Sequence, residues 1–283
     1  MRTETIICQT DKNQVPFETM GNGGPVIHFA HANGYPPGSY RQLFEEFSSD
    51  FQIVAMHQRP LWKNSRPKKL NSWQLIADDM IQFLDGQGLK NIIGMGHSMG
   101  GVVSVMAAIK RPDLFRQLVL IDPVIFNSPI IKMVGWLPQP WRKKVIPIAK
   151  LSSKRRDEWD SQQAVFDSFR TKKVYRSFSD EALWDFIKSA IVPNGAGKVT
   201  LAYPKAWETQ VYITAPAYLG PLKKVETPIL AVKGEYSNVI TAEVWSDWQA
   251  AQPHNHFLEY PNSGHLVPME YPKEVADWVK QYL

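Results

Sequence analysis

Long apolar runs alternate with segments of helical spacing along most of this chain, and this alternation constrains the fold more than any other feature. Residues 25–32, 51–56, 91–96 and 118–122 form nearly continuous apolar runs. Helical spacing separates them at 40–47, at 72–86 with Ser72 as N-cap, and at 99–110. Runs of this kind suit strands buried on both faces of a sheet. The pattern therefore predicts an α/β chain with a doubly wound, mostly parallel sheet.

The alternation is interrupted after Asp122 and resumes at Pro228. Strands are then predicted at 229–233 and 256–260, and helices at 241–251 and 272–283; two short strands at 4–9 and 15–20 precede the first run. The interrupting stretch holds five of the ten tryptophans and basic clusters at 142–144, 154–156 and 172–173. We expect a mostly helical insertion over 124–225, with core parts at 1–123 and 226–283. Its aromatic side chains either line an apolar pocket or join the helices to one another.

Composition excludes several classes of protein. With 44% hydrophobic and 21% charged residues, the chain is not disordered. The net charge of +5 comes without helix-turn-helix or zinc-finger spacing, so we expect no nucleic-acid partner and only weak attraction to anionic surfaces. The single cysteine, Cys8, has no partner for an internal disulfide. Without a signal-peptide pattern or a long apolar window, the expectation is a cytoplasmic protein with no integral membrane association.

The segment 96–100 reads Gly-His-Ser-Met-Gly between a predicted strand and a predicted helix. In that context the pattern is typical of a nucleophile elbow, a strained turn that presents its serine at the edge of the sheet. Glycines on either side let strand and helix approach closely. Ser98 is therefore the candidate nucleophile, and the alternative is an ordinary Gly/Ser turn.

The order of these motifs resembles the α/β-hydrolase superfamily, in particular its soluble esterase-like members with a helical cap. The resemblance covers roughly residues 24–122 and 226–280 and implies the α/β-hydrolase fold. It also implies an oxyanion loop at His31-Ala32-Asn33-Gly34, with the backbone N–H groups of Asn33 and Met99 as donors. Ala32 departs from the glycine that is common at its position.

By the same resemblance, His265 is the candidate base, because it lies in the loop at 262–270 between the last predicted strand and the terminal helix. The acid departs from the family pattern. Its usual position, after the strand that follows the cap, holds Ser237. Three alternatives stay open: Asp122 at the end of an earlier strand, Glu235 near the usual position, or no acid at all.

The implied function is that of a serine hydrolase, which cleaves a carboxylic ester or thioester with an apolar acyl group through an acyl-enzyme. Small apolar ester or acyl compounds are the expected substrates, and neither a metal nor an organic cofactor is implied. C–C bond hydrolysis, acyl transfer and non-catalytic binding of a small molecule are the alternatives on the same fold. Epoxide hydrolases and dehalogenases of this family use an aspartate where this chain has Ser98. The oligomeric state stays open.

Overall fold

The chain is described by a computed structural model that covers residues 1–7, 14–125, 133, 134, 136–217 and 219–283. Cys8 and the end of the first predicted strand lie outside these residues. Within them, the main sheet has eight strands. These are β1 Arg2–Ile7, β2 Gln14–Met20, β3 Val26–Ala30, β4 Gln52–Met56, β5 Ile92–His97, β6 Phe115–Ile121, β10 Ile229–Gly234 and β11 His256–Tyr260.

The strand order is β1-β2-β4-β3-β5-β6-β10-β11. In this order, every neighbouring pair from β4 onward is parallel. The strands β1 and β2 lie at one edge of the sheet, where β1 pairs antiparallel with β2 and β2 pairs antiparallel with β4. The central strands β5 and β10 are buried along their whole length, as expected for a sheet covered on both faces. The predicted fold class is thus confirmed. Because these strands are parallel, the carboxyl ends of β3, β5, β6, β10 and β11 lie along the same side of the sheet, which we call its carboxyl edge. The candidate residues lie there.

Helices cover both faces of the sheet. Their bounds are α1 Arg41–Phe47, α2 Gln74–Gly86, α3 Met99–Lys110, α10 Ala242–Ala251, α11 Val267–Glu270 and α12 Pro272–Lys280. Apolar residues of α2, α3 and α10, such as Met80, Val103 and Trp248, form one core layer. Residues of α1 and α12, such as Phe44 and Val279, belong to the layer on the opposite face. The sheet is therefore doubly wound.

Several element ends differ from the prediction by a few residues. The second helix begins at Gln74 rather than at Ser72, although the Ser72 hydroxyl still accepts the Gln74 N–H at 3.2 Å. The helix predicted from residue 241 begins at Ala242, with Thr241 as its N-cap, and the Thr241 hydroxyl accepts the Val244 N–H. The last helix ends at Lys280, three residues before the predicted end.

The segment between β6 and β10 carries a small second sheet that the sequence did not predict. Its helices are α4 Gln139–Val145, α5 Pro147–Lys154, α6 Gln162–Arg170, α7 Asp180–Ala190, α8 Lys205–Ile213 and α9 Leu219–Leu222. Its strands β7 Glu158–Trp159, β8 Ile191–Pro193 and β9 Val199–Leu201 pair antiparallel in the order β7-β9-β8. Strands of two or three residues are too short to show a period of two, which explains the omission. Among the described residues, no helix combines the length and hydropathy needed to cross a bilayer.

Candidate active site

Ser98 lies between the end of β5 and the start of α3 in a strained backbone conformation. Its φ of 56° and ψ of −120° are values that residues with a Cβ rarely adopt. The approach of strand to helix is close, because a Cβ on Gly96 would lie 2.5 Å from the Gly100 backbone. A Cβ on Gly100 would lie 2.0 Å from the Ala30 carbonyl oxygen. This geometry is that of the predicted elbow, and it presents Ser98 at the carboxyl edge of the sheet.

His265 and Asp122 lie next to Ser98 at this edge. His265 Nε2 is 3.0 Å from Ser98 Oγ, and His265 Nδ1 is 2.5 Å from Asp122 Oδ2. Asp122 follows β6, is fully buried, and has a φ of 43°. The structure thus brings together the predicted nucleophile, the predicted base and one of the two candidate acids in a single hydrogen-bonded series.

Ser237 and Glu235, the residues at and near the family's usual acid position, each hold a neighbouring group of the site by a hydrogen bond. The Ser237 hydroxyl donates to Asp122 Oδ2 at 2.6 Å, and the Gly234 N–H donates to Asp122 Oδ1 at 3.2 Å. Glu235 is exposed, and its carboxylate accepts the N–H of Asn262 at 2.8 Å. The serine at the family's usual acid position therefore holds the Asp122 carboxylate from the neighbouring strand.

The predicted oxyanion donors, Asn33 and Met99, line the same cavity as Ser98. Met99 is the first residue of α3, so its N–H lies outside the hydrogen-bond ladder of the helix, as an oxyanion donor requires. The loop of Asn33 is held on two sides. The Ala32 N–H donates to Tyr40 Oη at 3.1 Å, and the Asn33 side-chain amide donates to the Glu208 carbonyl at 3.2 Å.

A buried hydrogen-bond relay, which the sequence reasoning missed, joins the three loops of the site. Tyr40 Oη lies 2.8 Å from His97 Nδ1, and His97 Nε2 lies 2.8 Å from the His265 carbonyl oxygen. Burial, followed by the nearby His265, holds the pKa of His97 well below its usual value, so the imidazole is neutral. Tyr40 then accepts from Ala32 and donates to His97, which donates to His265. Tyr40 begins a predicted helix and His97 belongs to the elbow motif, and neither position in the sequence signals a contact between them.

Glu270 is a second residue that sequence reasoning missed. Its carboxylate accepts the Gly264 N–H at 3.1 Å and so braces the loop before His265. Burial raises the pKa of Glu270 above its usual value. A carboxylate six residues after a loop glycine gives no sequence signal of such a contact.

Ser98 opens onto a mostly apolar cavity of about 540 Å³. Polar groups are confined to a few positions, and the apolar lining comes from both the core and the insertion: Ala32, Trp73, Met99, Val124, Val134, Val145, Ile146, Pro147, Ile148, Val174, Val211, Ile213, Ala215, Val239 and Leu266. None of the insertion's five tryptophans is in the described lining. Trp159 of β7 instead packs on Phe169 of α6, and Trp184 of α7 packs on Phe166 of α6, so these aromatic residues join elements of the insertion to one another.

A smaller, more polar cavity of about 310 Å³ lies beside the first and shares Asn33 and Tyr35 with it. Arg155 in its wall pairs with Glu208 at 2.7 Å. Burial and the nearby Arg155 charge lower the pKa of Lys172. In the described ranges, no group of three or more His, Cys, Asp or Glu side chains is placed to hold a metal ion.

A sequence model of the α/β hydrolase family matches residues 29–278 of this chain. This protein belongs to the α/β-hydrolase family. The match confirms the predicted resemblance, and it spans the elbow, the Asp122 turn and the His265 loop.

Relatives and solved structures agree with this assignment. An uncharacterized hydrolase of Bacillus subtilis, YugF, is 24% identical over 246 residues, which cover 87% of this chain and 85% of that protein. Mouse epoxide hydrolase 3 is 24% identical over 285 residues, covering 94% of this chain and 73% of that protein. The crystal structure of E-2-(acetamidomethylene)succinate hydrolase superimposes with a TM-score of 0.81 at 20% identity, covering 99% of both chains. The family and these relatives support hydrolase activity.

Proposed function

We propose that this α/β hydrolase is a serine hydrolase that cleaves a carboxylic ester or thioester with an apolar acyl group. The observation that carries the proposal is the series Ser98–His265–Asp122 at the wall of an apolar cavity. A serine hydroxyl is a weak nucleophile until a neighbouring base removes its proton. At 3.0 Å, His265 Nε2 is within reach of that proton.

Acylation begins when Ser98 Oγ attacks the carbonyl carbon and its proton passes to His265 Nε2. The carbonyl oxygen becomes an oxyanion, which the N–H groups of Asn33 and Met99 stabilise; one such donor contributes about 100- to 1000-fold to turnover. The C–O or C–S bond to the leaving group then breaks, and His265 gives its proton to the departing oxygen or sulfur. Water next attacks the acyl-enzyme with His265 as base, releasing the carboxylic acid and regenerating Ser98.

Asp122 gives His265 the correct tautomer. Its carboxylate accepts the Nδ1–H, so the Nε2 lone pair faces Ser98. Two donors, Ser237 and Gly234, hold the carboxylate in its orientation while the imidazolium forms. The charge of Asp122 is fully buried, so it acts on His265 with little screening by solvent.

The cavity supports the choice of an apolar acyl group. Its volume of about 540 Å³ lies within the range of small-molecule sites, and most of its lining is aliphatic. Each methylene that moves from water into such a lining contributes about 0.8 kcal/mol, or about 4-fold in kcat/KM. Epoxide hydrolysis, which the name of the mouse relative states for that protein, is not proposed, because Ser98 replaces the aspartate nucleophile that this activity uses.

The test is hydrolysis of p-nitrophenyl acetate, butyrate and octanoate by the parent protein and by Ser98→Ala. We expect activity that rises from acetate to the longer esters and is lost in Ser98→Ala. Ser104→Ala is a matched control, because this buried serine of α3 bonds only within its helix. Unchanged turnover in Ser98→Ala contradicts the proposal.

A fluorophosphonate distinguishes two alternatives, acyl transfer and non-catalytic binding, from the proposed activity. Rapid labelling of Ser98 without ester hydrolysis in water, but with turnover when an alcohol or thiol acceptor is added, identifies an acyltransferase instead. No labelling and no turnover identify a binding protein, because only an activated serine reacts quickly.

A further inference from the structure

The charge of this hydrolase is unevenly distributed along the chain. Residues 123–156 contain eight Lys or Arg and no Asp or Glu. Since the whole chain carries +5, the remaining residues have a net charge of −3. Seven of the eight lie in the described part of the chain, within helices α4 and α5 or directly after them: Arg142, Lys143, Lys144, Lys150, Lys154, Arg155 and Arg156.

The same helices expose apolar side chains. Of the eleven large apolar residues that are exposed in the described part of the chain, seven belong to residues 133–174. Trp136 is 90% exposed and Leu151 is 71% exposed. Trp141 and Val145 lie four residues apart in α4, and Ile148 and Leu151 lie three apart in α5, so each helix exposes an apolar pair on one of its faces. Trp136 lies shortly before α4. We refer to these five residues as the outer face.

Exposed basic residues accompany the outer face, namely Lys143, Lys144, Lys150 and Lys154. Lys144 Nζ lies 5.3 Å from the ring centroid of Trp141, so charge and aromatic surface are adjacent. Tryptophan and aliphatic side chains flanked by lysines are typical of helices that lie in the headgroup region of a bilayer.

The catalytic cavity opens beside this face. Val145 and Ile148 are about half exposed and also line the cavity that contains Ser98. Val174, also half exposed, lines the cavity as well. A molecule that enters the cavity past these residues therefore comes from whatever covers the outer face.

We infer that the outer face binds the surface of an anionic lipid bilayer. The aliphatic and indole groups enter the headgroup region, and the lysines contact anionic headgroups. A second copy of this chain fits less well, because a symmetric contact would bring two basic clusters together without acidic partners. A nucleic acid matches the charge but not the aliphatic residues between the lysines. The inference does not rest on ester hydrolysis.

Sedimentation with lipid vesicles tests whether the outer face binds an anionic bilayer. We expect the protein to bind vesicles of phosphatidylcholine with phosphatidylglycerol, to bind pure phosphatidylcholine much less, and to dissociate at high salt. Lys143→Gln with Lys144→Gln should weaken binding about 30-fold, since a basic residue near an anionic surface contributes about 5-fold. Trp136→Ser with Leu151→Ser should weaken it at least about 10-fold.

Matched controls lie at the opposite end of the sheet. Lys90→Gln with Arg116→Gln makes the same change in net charge on exposed residues and should leave binding unchanged. Ser98→Ala should bind like the parent, so failure of the esterase proposal and failure of this one are separable. The inference is overturned if both basic double variants lose binding equally, if the protein binds uncharged vesicles equally well, or if it binds duplex DNA but no vesicles. So does a dimer that Trp136→Ser dissociates.

Discussion

Replacing Asp122 with asparagine tests how the acid works. Oδ1 of Asp122 accepts an N–H from Gly234, while Oδ2 faces both His265 Nδ1 and the Ser237 hydroxyl. An asparagine places its carbonyl oxygen against the Gly234 donor, because the opposite orientation sets two donors against each other. Its NH2 group then faces His265, which must accept at Nδ1 and carry its proton on Nε2. That tautomer cannot take the proton of Ser98.

The expected effect follows from this tautomer change. We predict that kcat/KM for p-nitrophenyl butyrate falls on the order of 10³- to 10⁴-fold, equivalent to about 4 to 5.5 kcal/mol. Ser237→Ala leaves the carboxylate in place and removes one of its donors, so a loss of about 10-fold is expected. Glu235→Gln serves as the control, because Glu235 contacts Asn262 rather than His265.

The assay compares the four proteins across the pH range of activity, with thermal unfolding to show that each variant is folded. If Asp122→Asn keeps more than a tenth of the parent rate, or if Glu235→Gln is the variant that loses activity, the reasoning about the acid is wrong.

Three further predictions concern the surroundings of the site and the stability of the fold. Tyr40→Phe breaks the relay to His97, so kcat should fall about 10-fold with KM unchanged; an equal rise in KM instead would indicate a role in substrate binding. Burial lowers the pKa of His28 from 6.5 to about 4. Below pH 6.5 this imidazole takes up a proton in the unfolded chain but stays neutral in the folded one, so stability is lost as the pH falls from about 6.5 to 4. The free energy of unfolding, measured by urea titration at a series of pH values, should therefore depend less steeply on pH in His28→Leu than in the parent. The expected difference is about 1.4 kcal/mol per pH unit between about pH 6 and 4; the same pH dependence in both proteins would refute this. Thr241→Ala removes the cap that accepts the Val244 N–H and should lower the free energy of unfolding by about 1 kcal/mol; calorimetry showing an unchanged Tm would contradict that role.

The sequence was sufficient for the sheet and for the positions of two site residues. Continuous apolar runs identify strands buried on both faces, and a serine between such a strand and a helix has few conformations open to it. His265 could be located because it follows the last strand and precedes the terminal helix. These are local patterns that a single sequence shows directly.

The rest depended on contacts between distant residues. The sequence did not decide whether the acid is Asp122, Glu235 or absent, because the orientation of a side chain on a turn is not encoded by its sequence position. The geometry shows which carboxylate faces His265. The Tyr40–His97 relay joins residues 57 positions apart. The small sheet of the insertion depends on pairing between strands too short to have a pattern of their own.

The central claim is that Ser98 becomes covalently acylated during turnover. Rapid quenching of the enzyme with p-nitrophenyl butyrate, followed by mass spectrometry of the peptide that contains Ser98, measures this directly. We predict a butyryl adduct on Ser98 that forms with the burst of p-nitrophenol and decays as butyrate is released. Steady hydrolysis with no adduct, or an adduct on another residue that persists in Ser98→Ala, would contradict the account.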